Sequence, residues 1–177
     1  MQMIFHKKYQ ADSNEIIEKY SDMVYRIALL QVKNKADAED IFQEVFIKLI
    51  QNMDKLTSEE HVKAWLIRVT INCSKTHLTS YWNKNTVAYD TESTQEAGAE
   101  DTYPIEEQAE REKIYQSVKE LPDKYRNVIH LFYYEQLSIV KISEVLQEKE
   151  STIKSHLFRG RELLRDKLKG DFGNERI

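Results

Sequence analysis

Leu137–Leu164, "LSIVKISEVLQEKESTIKSHLFRGRELL", is the stretch whose reading decides the fold. A short helix is predicted over about Ser138 to Leu146. The polar turn "QEKE" follows, and a second helix starts near Ser151 with Ile153, Leu157 and Leu164 at core spacing. Short helix, tight turn and basic helix form the helix-turn-helix arrangement, although the glycine often found in its turn is absent. Between 151 and 170 six cations (Lys154, Arg159, Arg161, Arg165, Lys167 and Lys169) face only Glu162 and Asp166, a net charge of +4. With Ile153 and Leu157 inward, a 3.6-residue period turns Lys154, Ser155, Phe158 and Arg159 outward near the helix start. Recognition helices read base edges there: Lys and Arg donate to guanine O6 and N7, and an apolar ring meets a thymine methyl. Arg161, Arg165, Lys167 and Lys169, further along, suit phosphates. The same residues also fit a solvated basic face with Phe158 in the core.

Outward from this stretch, the totals restrict the class. Four glycines and two prolines among 177 residues disfavour an all-β fold with many tight turns. A single cysteine, Cys73, excludes an internal disulfide and a cysteine-based zinc site. There is no metal-ligand cluster, phosphate loop or nucleophile–base pair, so no metal, cofactor or enzymatic activity is expected. No apolar run nears the roughly 20 residues a membrane span needs. The first ten residues, "MQMIFHKKYQ", lack the apolar segment of a secretory signal, so a cytoplasmic location without membrane insertion is expected. The net charge of −4 averages opposed regions, since residues 85 to 112 carry nine acids and one base.

That acidic stretch is also the predicted boundary. "NTVAYDTESTQEAGAEDTYP", residues 85–104, has no helical apolar period and reads as a flexible acidic linker. The prediction is an all-α chain of two small helical domains, 1–84 and 105–177, joined by it. Before the linker, three helices are expected. Asp12 with Glu15 starts one, carrying Ile16, Ile17, Tyr20, Val24, Ile27 and Leu30. The next begins near Lys35 with an apolar stripe of Ile41, Val45, Phe46, Leu49 and Ile50, and with Asp37, Glu39 and Asp40 near its positive end. "NMDKLTSEEH" is a loop ending in a capping box, Thr57 with Glu60, that opens the third, whose stripe includes Val62, Trp65, Leu66, Val69 and Cys73. After the linker, Pro104 and Pro122 each open a helix; Ile114, Val118 and Leu121, then Val128, Ile129 and Phe132, face inward.

With these residues placed, the chain resembles an extracytoplasmic-function (ECF) sigma factor of the sigma-70 family over about Ile16 to Lys169. "ADAEDIFQEVFIKLI" resembles the family's region 2.2, "VKAWLIRVTIN" its region 2.3, and "LPDKYRNVIHLFYYEQLSIVKISEVLQEKESTIKSHLFRGRELL" its region 4. The resemblance implies a factor that binds core RNA polymerase and directs it to promoters, recognising and helping to melt the −10 element with one domain. The other domain reads the −35 element as duplex, and the chemistry of RNA synthesis stays with the core.

It also implies sites. Asp40, Gln43, Glu44 and Phe46 match the polymerase-docking face; the alternative is that Phe46 is core and the acids only complement the helix dipole. The loop before the third helix matches the pocket for a flipped −10 base. Asn72 matches a −10 strand contact, Lys63, Arg68 and Lys75 suit phosphates, and Tyr81 and Trp82 suit base stacking, the favoured alternative being that they cover the domain's edge at a frayed helix end. Trp65 is expected in the core. In the −35 domain the matching set is Lys154, Ser155, Phe158 and Arg159, with Thr152 on phosphate; the outward-face argument selects the same four. The chain departs from relatives in "NCSKTHLTSYWNK", poor in cations after the Asn, and in Ser151-Thr152, where many carry Gly-Thr. An anti-sigma factor is a partner common in the family.

The linker follows from the same geometry. Promoter elements two helical turns apart are separated by roughly 70 Å. About 20 residues span about 70 Å only when fully extended, against about 25 Å as a flexible coil. By resemblance the drawn-out linker threads a basic channel, which its acids suit; a plain soluble spacer fits equally. A free-standing helix-turn-helix regulator explains residues 122–169 but leaves "ADAEDIFQEVF" and "VKAWLIRVTIN" without a role. A protein-only adaptor leaves the cationic face idle.

Overall fold

The computed structural model describes residues 12–84 and 105–173, with side chains over 12–80 and 110–169. The linker assigned to 85–104 lies outside the described residues, and the stacking assigned to Tyr81 and Trp82 outside the described side chains. The described secondary structure is helical throughout, and the chain divides into two compact units, parting between Ser93 and Thr94.

The first unit holds α1 (Ser13–Val32), α2 (Lys35–Asn52) and α3 (Glu59–Lys84), each packed on the other two. Asp12 caps α1, its carboxylate accepting from the Asn14 amide at 3.1 Å. Lys33 leaves that helix in the left-handed region at φ 65°. Asn34 then caps α2, accepting from the Asp37 amide at 2.9 Å, so two residues turn the chain between antiparallel neighbours. Where the three helices pack, Ile16, Val24, Ile27 and Leu30 of α1, Ile41, Val45 and Leu49 of α2, and Val62, Leu66 and Ile67 of α3 are all buried. Each of these apolar side chains stabilises the unit by about 1.5–3 kcal/mol.

Three expectations shift. A single 3-10 turn, Met53–Lys55, precedes α3, and Ser58 rather than Thr57 is the cap: its hydroxyl accepts from the His61 amide at 3.1 Å. Thr57 meets the His61 ring instead, at 3.2 Å. Two adjacent hydroxyls offer two registers, and burial of Leu56 selects the later. Ile50, predicted inward, is 58% exposed, because the α2 core stripe closes at Leu49. Trp65 is only partly buried, lying at the edge of the α3 stripe.

The second unit holds α4 (Ile105–Lys119), α5 (Asp123–Tyr133), α6 (Ile139–Leu146) and α7 (Glu150–Gly173). Helices α4, α5 and α6 all pack on α7. The core joins Val118, Leu121, Val128, Ile129, Ile142, Val145, Ile153 and Leu157. Leu164, predicted inward, is half-buried, as is Phe132, while Ile114 is exposed. Arg126 is fully buried: its guanidinium donates to the carbonyls of Leu121 (2.9 Å) and Lys119 (3.3 Å) and pairs with Asp123 (2.6 Å). It thereby satisfies carbonyls that the end of α4 leaves without helical partners.

Candidate nucleic-acid and protein interfaces

Ser138 caps α6, its hydroxyl accepting from the Lys141 amide at 3.2 Å. Gln147 ends α6 in the left-handed region (φ 57°, ψ 41°), and both its amide and that of Glu148 donate to the Ser143 carbonyl. Gln147 thus takes the conformation a turn glycine would, at a steric cost of about 1–2 kcal/mol. Lys149 O accepts the first bonds of α7. Gly160 lets α7 approach α5 closely: a Cβ there would stand 2.8 Å from Ile129 Cγ1. The turn and this close approach aim the first two turns of α7.

Along that aimed segment Ile153 and Leu157 are buried. Lys154, Ser155 and Arg159 are exposed, and Phe158 is 61% exposed. Thr152 is half-buried at the flank. The structure brings together on one face the residues expected from sequence to meet DNA, and Phe158 in the core is the reading it removes. The Ser155 hydroxyl donates to the Ser151 carbonyl (3.0 Å), and Arg159 pairs with Glu162 at 3.0 Å. His156 points from α7 towards Glu148 of the turn at 3.4 Å and lies edge-on to Tyr125.

In the first unit, Asp40, Gln43 and Glu44 are exposed along one face of α2. Phe46 is not on that face. It is 6% exposed, with its ring edge-on to Phe42 at 4.8 Å, the packing that its core alternative expects. The apolar groups on the outer face are Ile47 (56% exposed) and Ile50 (58% exposed), one and two turns beyond Gln43. Sequence reading missed Ile47, although the 40, 43, 44, 47 spacing contained it. Glu44 is tied to Lys48 at 2.7 Å, and both meet the Cys73 thiol of α3 (Lys48 at 3.3 Å, Glu44 at 3.5 Å). The Lys48 hydrogen bond holds the Glu44 carboxyl below its ordinary range and lifts the Lys48 ammonium above its own. Burial pushes the Cys73 thiol up.

On α3, Arg68, Asn72 and Lys75 recur at i, i+4 and i+7 and share the face opposite the core. Lys63 does not join them: it sits about 140° round the helix from Arg68. His61 and Trp65 continue the Arg68–Asn72 stripe towards the preceding loop, neither having been placed there from sequence.

A family model described as Sigma-70 region 2 matches residues 16–84, and one described as Sigma-70, region 4 matches 111–164. The ECF RNA polymerase sigma factor SigW of Bacillus subtilis is 31% identical over 166 residues, 88% of each chain. This chain belongs to the ECF sigma factors. As such it directs RNA polymerase to promoters and is a non-enzymatic transcription factor. SigM of the same organism is 29% identical, covering 86% of this chain and 92% of its own. The fold of this sigma factor is shared with the sigma factor RpoE of Bartonella quintana, solved with the anti-sigma factor NepR. The TM-score is 0.71 at 18% identity, over 88% and 96% of the two chains. CnrH, solved with the cytosolic domain of CnrY, follows at a TM-score of 0.64 and 16% identity, over 90% and 88%. Among the described residues, no helix is long and apolar enough to cross a membrane.

Proposed function

We propose that residues 1–84 dock on core polymerase and read and help melt the −10 element, and that 105–177 read the −35 element as duplex, with 85–104 as an acidic connection. The observation that carries this is the outer face of α7, where Lys154, Ser155, exposed Phe158 and Arg159 stand over a buried Ile153 and Leu157. An apolar ring held out between cations is costly on an isolated surface and useful in a major groove. Arg159→Ala should cost about 1–3 kcal/mol at a −35 base and relax preference there. Unchanged promoter preference, measured by in vitro transcription from a randomised −35 library, would overturn the assignment.

The polymerase contact is assigned to Asp40, Gln43, Glu44 and the exposed Ile47 and Ile50, an acidic and amide face with apolar groups that suits a basic, apolar partner helix. Gln43→Ala with Ile47→Ala should weaken core-polymerase binding without unfolding the unit, since both side chains are exposed. The −10 strand is assigned to Asn72, with Arg68 and Lys75 on phosphates; Lys63 would meet DNA only from a different side. The chain acts in the cytoplasm, where its polymerase is. An anti-sigma factor is a fitting regulator, supported by the similar fold of RpoE solved with the anti-sigma factor NepR.

A further inference from the structure

Three cations of α7 are paired with carboxylates: Arg159 with Glu162, Arg165 with Asp166 and Lys167 with Glu120. Arg161 is held differently. Its Nε donates to the Tyr133 hydroxyl at 2.7 Å, and its guanidinium carbon lies 5.5 Å from the Phe132 ring centroid and 5.6 Å from that of Tyr133. Phe132 and Tyr133 are themselves locked edge to face at 5.1 Å. No carboxylate among the described residues lies within ion-pair reach of Arg161. Aromatic rings and a phenol orient a guanidinium without cancelling its charge, whereas a carboxylate would do both. Tyr133 is 51% exposed and Arg161 is exposed, so the fork's remaining N–H groups stay within reach of an incoming anion.

The position matters as much as the charge. Arg161 continues the stripe of Lys154 and Phe158 at i+7 and i+3, about 10 Å beyond Lys154 along the helix axis. With Lys154 inside a groove about 12 Å wide, that displacement reaches the sugar–phosphate wall. We propose that Phe132 and Tyr133 form a cradle that presents Arg161, un-neutralised, to a phosphodiester of the duplex that α7 enters. Tyr133 is a positioning residue and Arg161 the contact. This rests on the assignment of α7 as the −35 reader.

The test uses holoenzyme formed from the full chain and core polymerase, binding promoter fragments across a salt series. Arg161→Ala should weaken binding by a similar factor on every −35 sequence and reduce the slope of log K against log salt by about 0.9, one phosphate's worth. Tyr133→Phe keeps both rings and the charge but loses the phenol. It should weaken binding by about 2- to 10-fold, the worth of one hydrogen bond, leave the slope unchanged, and have no effect once Arg161 is Ala. An unchanged slope in Arg161→Ala, or an undiminished Tyr133→Phe effect in the Arg161→Ala background, overturns the cradle. Arg159→Ala separates the two levels: if it alters −35 preference while Arg161→Ala does nothing, only the cradle falls. If both leave binding untouched, the recognition-helix assignment falls with it.

Discussion

Gly160→Ala tests the packing that aims α7. On an exposed helical surface this change stabilises by about 1 kcal/mol, because alanine restricts the unfolded chain. Here the new methyl would stand 2.8 Å from Cγ1 of Ile129 and 3.1 Å from its Cδ1. Cγ1 is a branch-point neighbour rather than a free chain end, and Ile129 is itself buried, so α5 and α7 must move apart. Overpacking of this kind costs about 1–3 kcal/mol. The net expectation is destabilisation of the second unit by about 1 kcal/mol. Urea unfolding followed by far-UV circular dichroism reads it. Both tryptophans, Trp65 and Trp82, lie in the first unit, so their fluorescence transition should not shift and serves as an internal control. In an Ile129→Ala background the clashing atoms are gone, and the same substitution should become stabilising by about 1 kcal/mol, a coupling of about 2 kcal/mol. Equal stabilisation by Gly160→Ala in both backgrounds would refute the close approach of the two helices.

Arg126→Ala strips the carbonyls of Lys119 and Leu121 of their buried donor and should destabilise the second unit by about 2–4 kcal/mol, seen as an earlier circular-dichroism transition with the tryptophan signal unmoved. Gln147→Gly relieves a left-handed residue in the turn and should stabilise by about 0.5–1 kcal/mol, with promoter preference kept; destabilisation would contradict the turn conformation. The Cys73 thiol is held protonated by burial, so alkylation by iodoacetamide at about pH 8 should be far slower in the folded chain than in urea. Because its folded pKa is raised, the associated stability is present below the thiol's ordinary pKa and fades as pH rises through the folded value.

The helix-turn-helix and its outer face were legible because two buried positions, Ile153 and Leu157, fix the phase of a regular helix, and every other orientation follows by rotation. The same rotation would have set Arg68, Asn72 and Lys75 on one face of α3, but the sequence reading took Asn72 from the resemblance and the cations by charge. It put Phe46 in the α2 stripe, where it is buried, the docking role having come from the resemblance, but it misplaced Ile50 because α2 is apolar on more than one side and the core stripe closes at Leu49. Lys63 was grouped by charge rather than by helical angle. Arg126 and Gln147 were not legible at all. A buried guanidinium is recognised only by the carbonyls it meets at the far end of another helix, and a left-handed glutamine carries none of glycine's compositional mark. Arg161 was read as one phosphate cation among four, since only the fold sets it against Phe132 and Tyr133.

The central claim is tested most directly by mixing the purified chain with core RNA polymerase that lacks a specificity subunit and mapping transcript starts on genomic DNA. Discrete starts that share an upstream pair of elements and vanish when the chain is omitted are the expected result. A chain that does not associate with the polymerase core, or that yields the same scattered initiation as core alone, would contradict it.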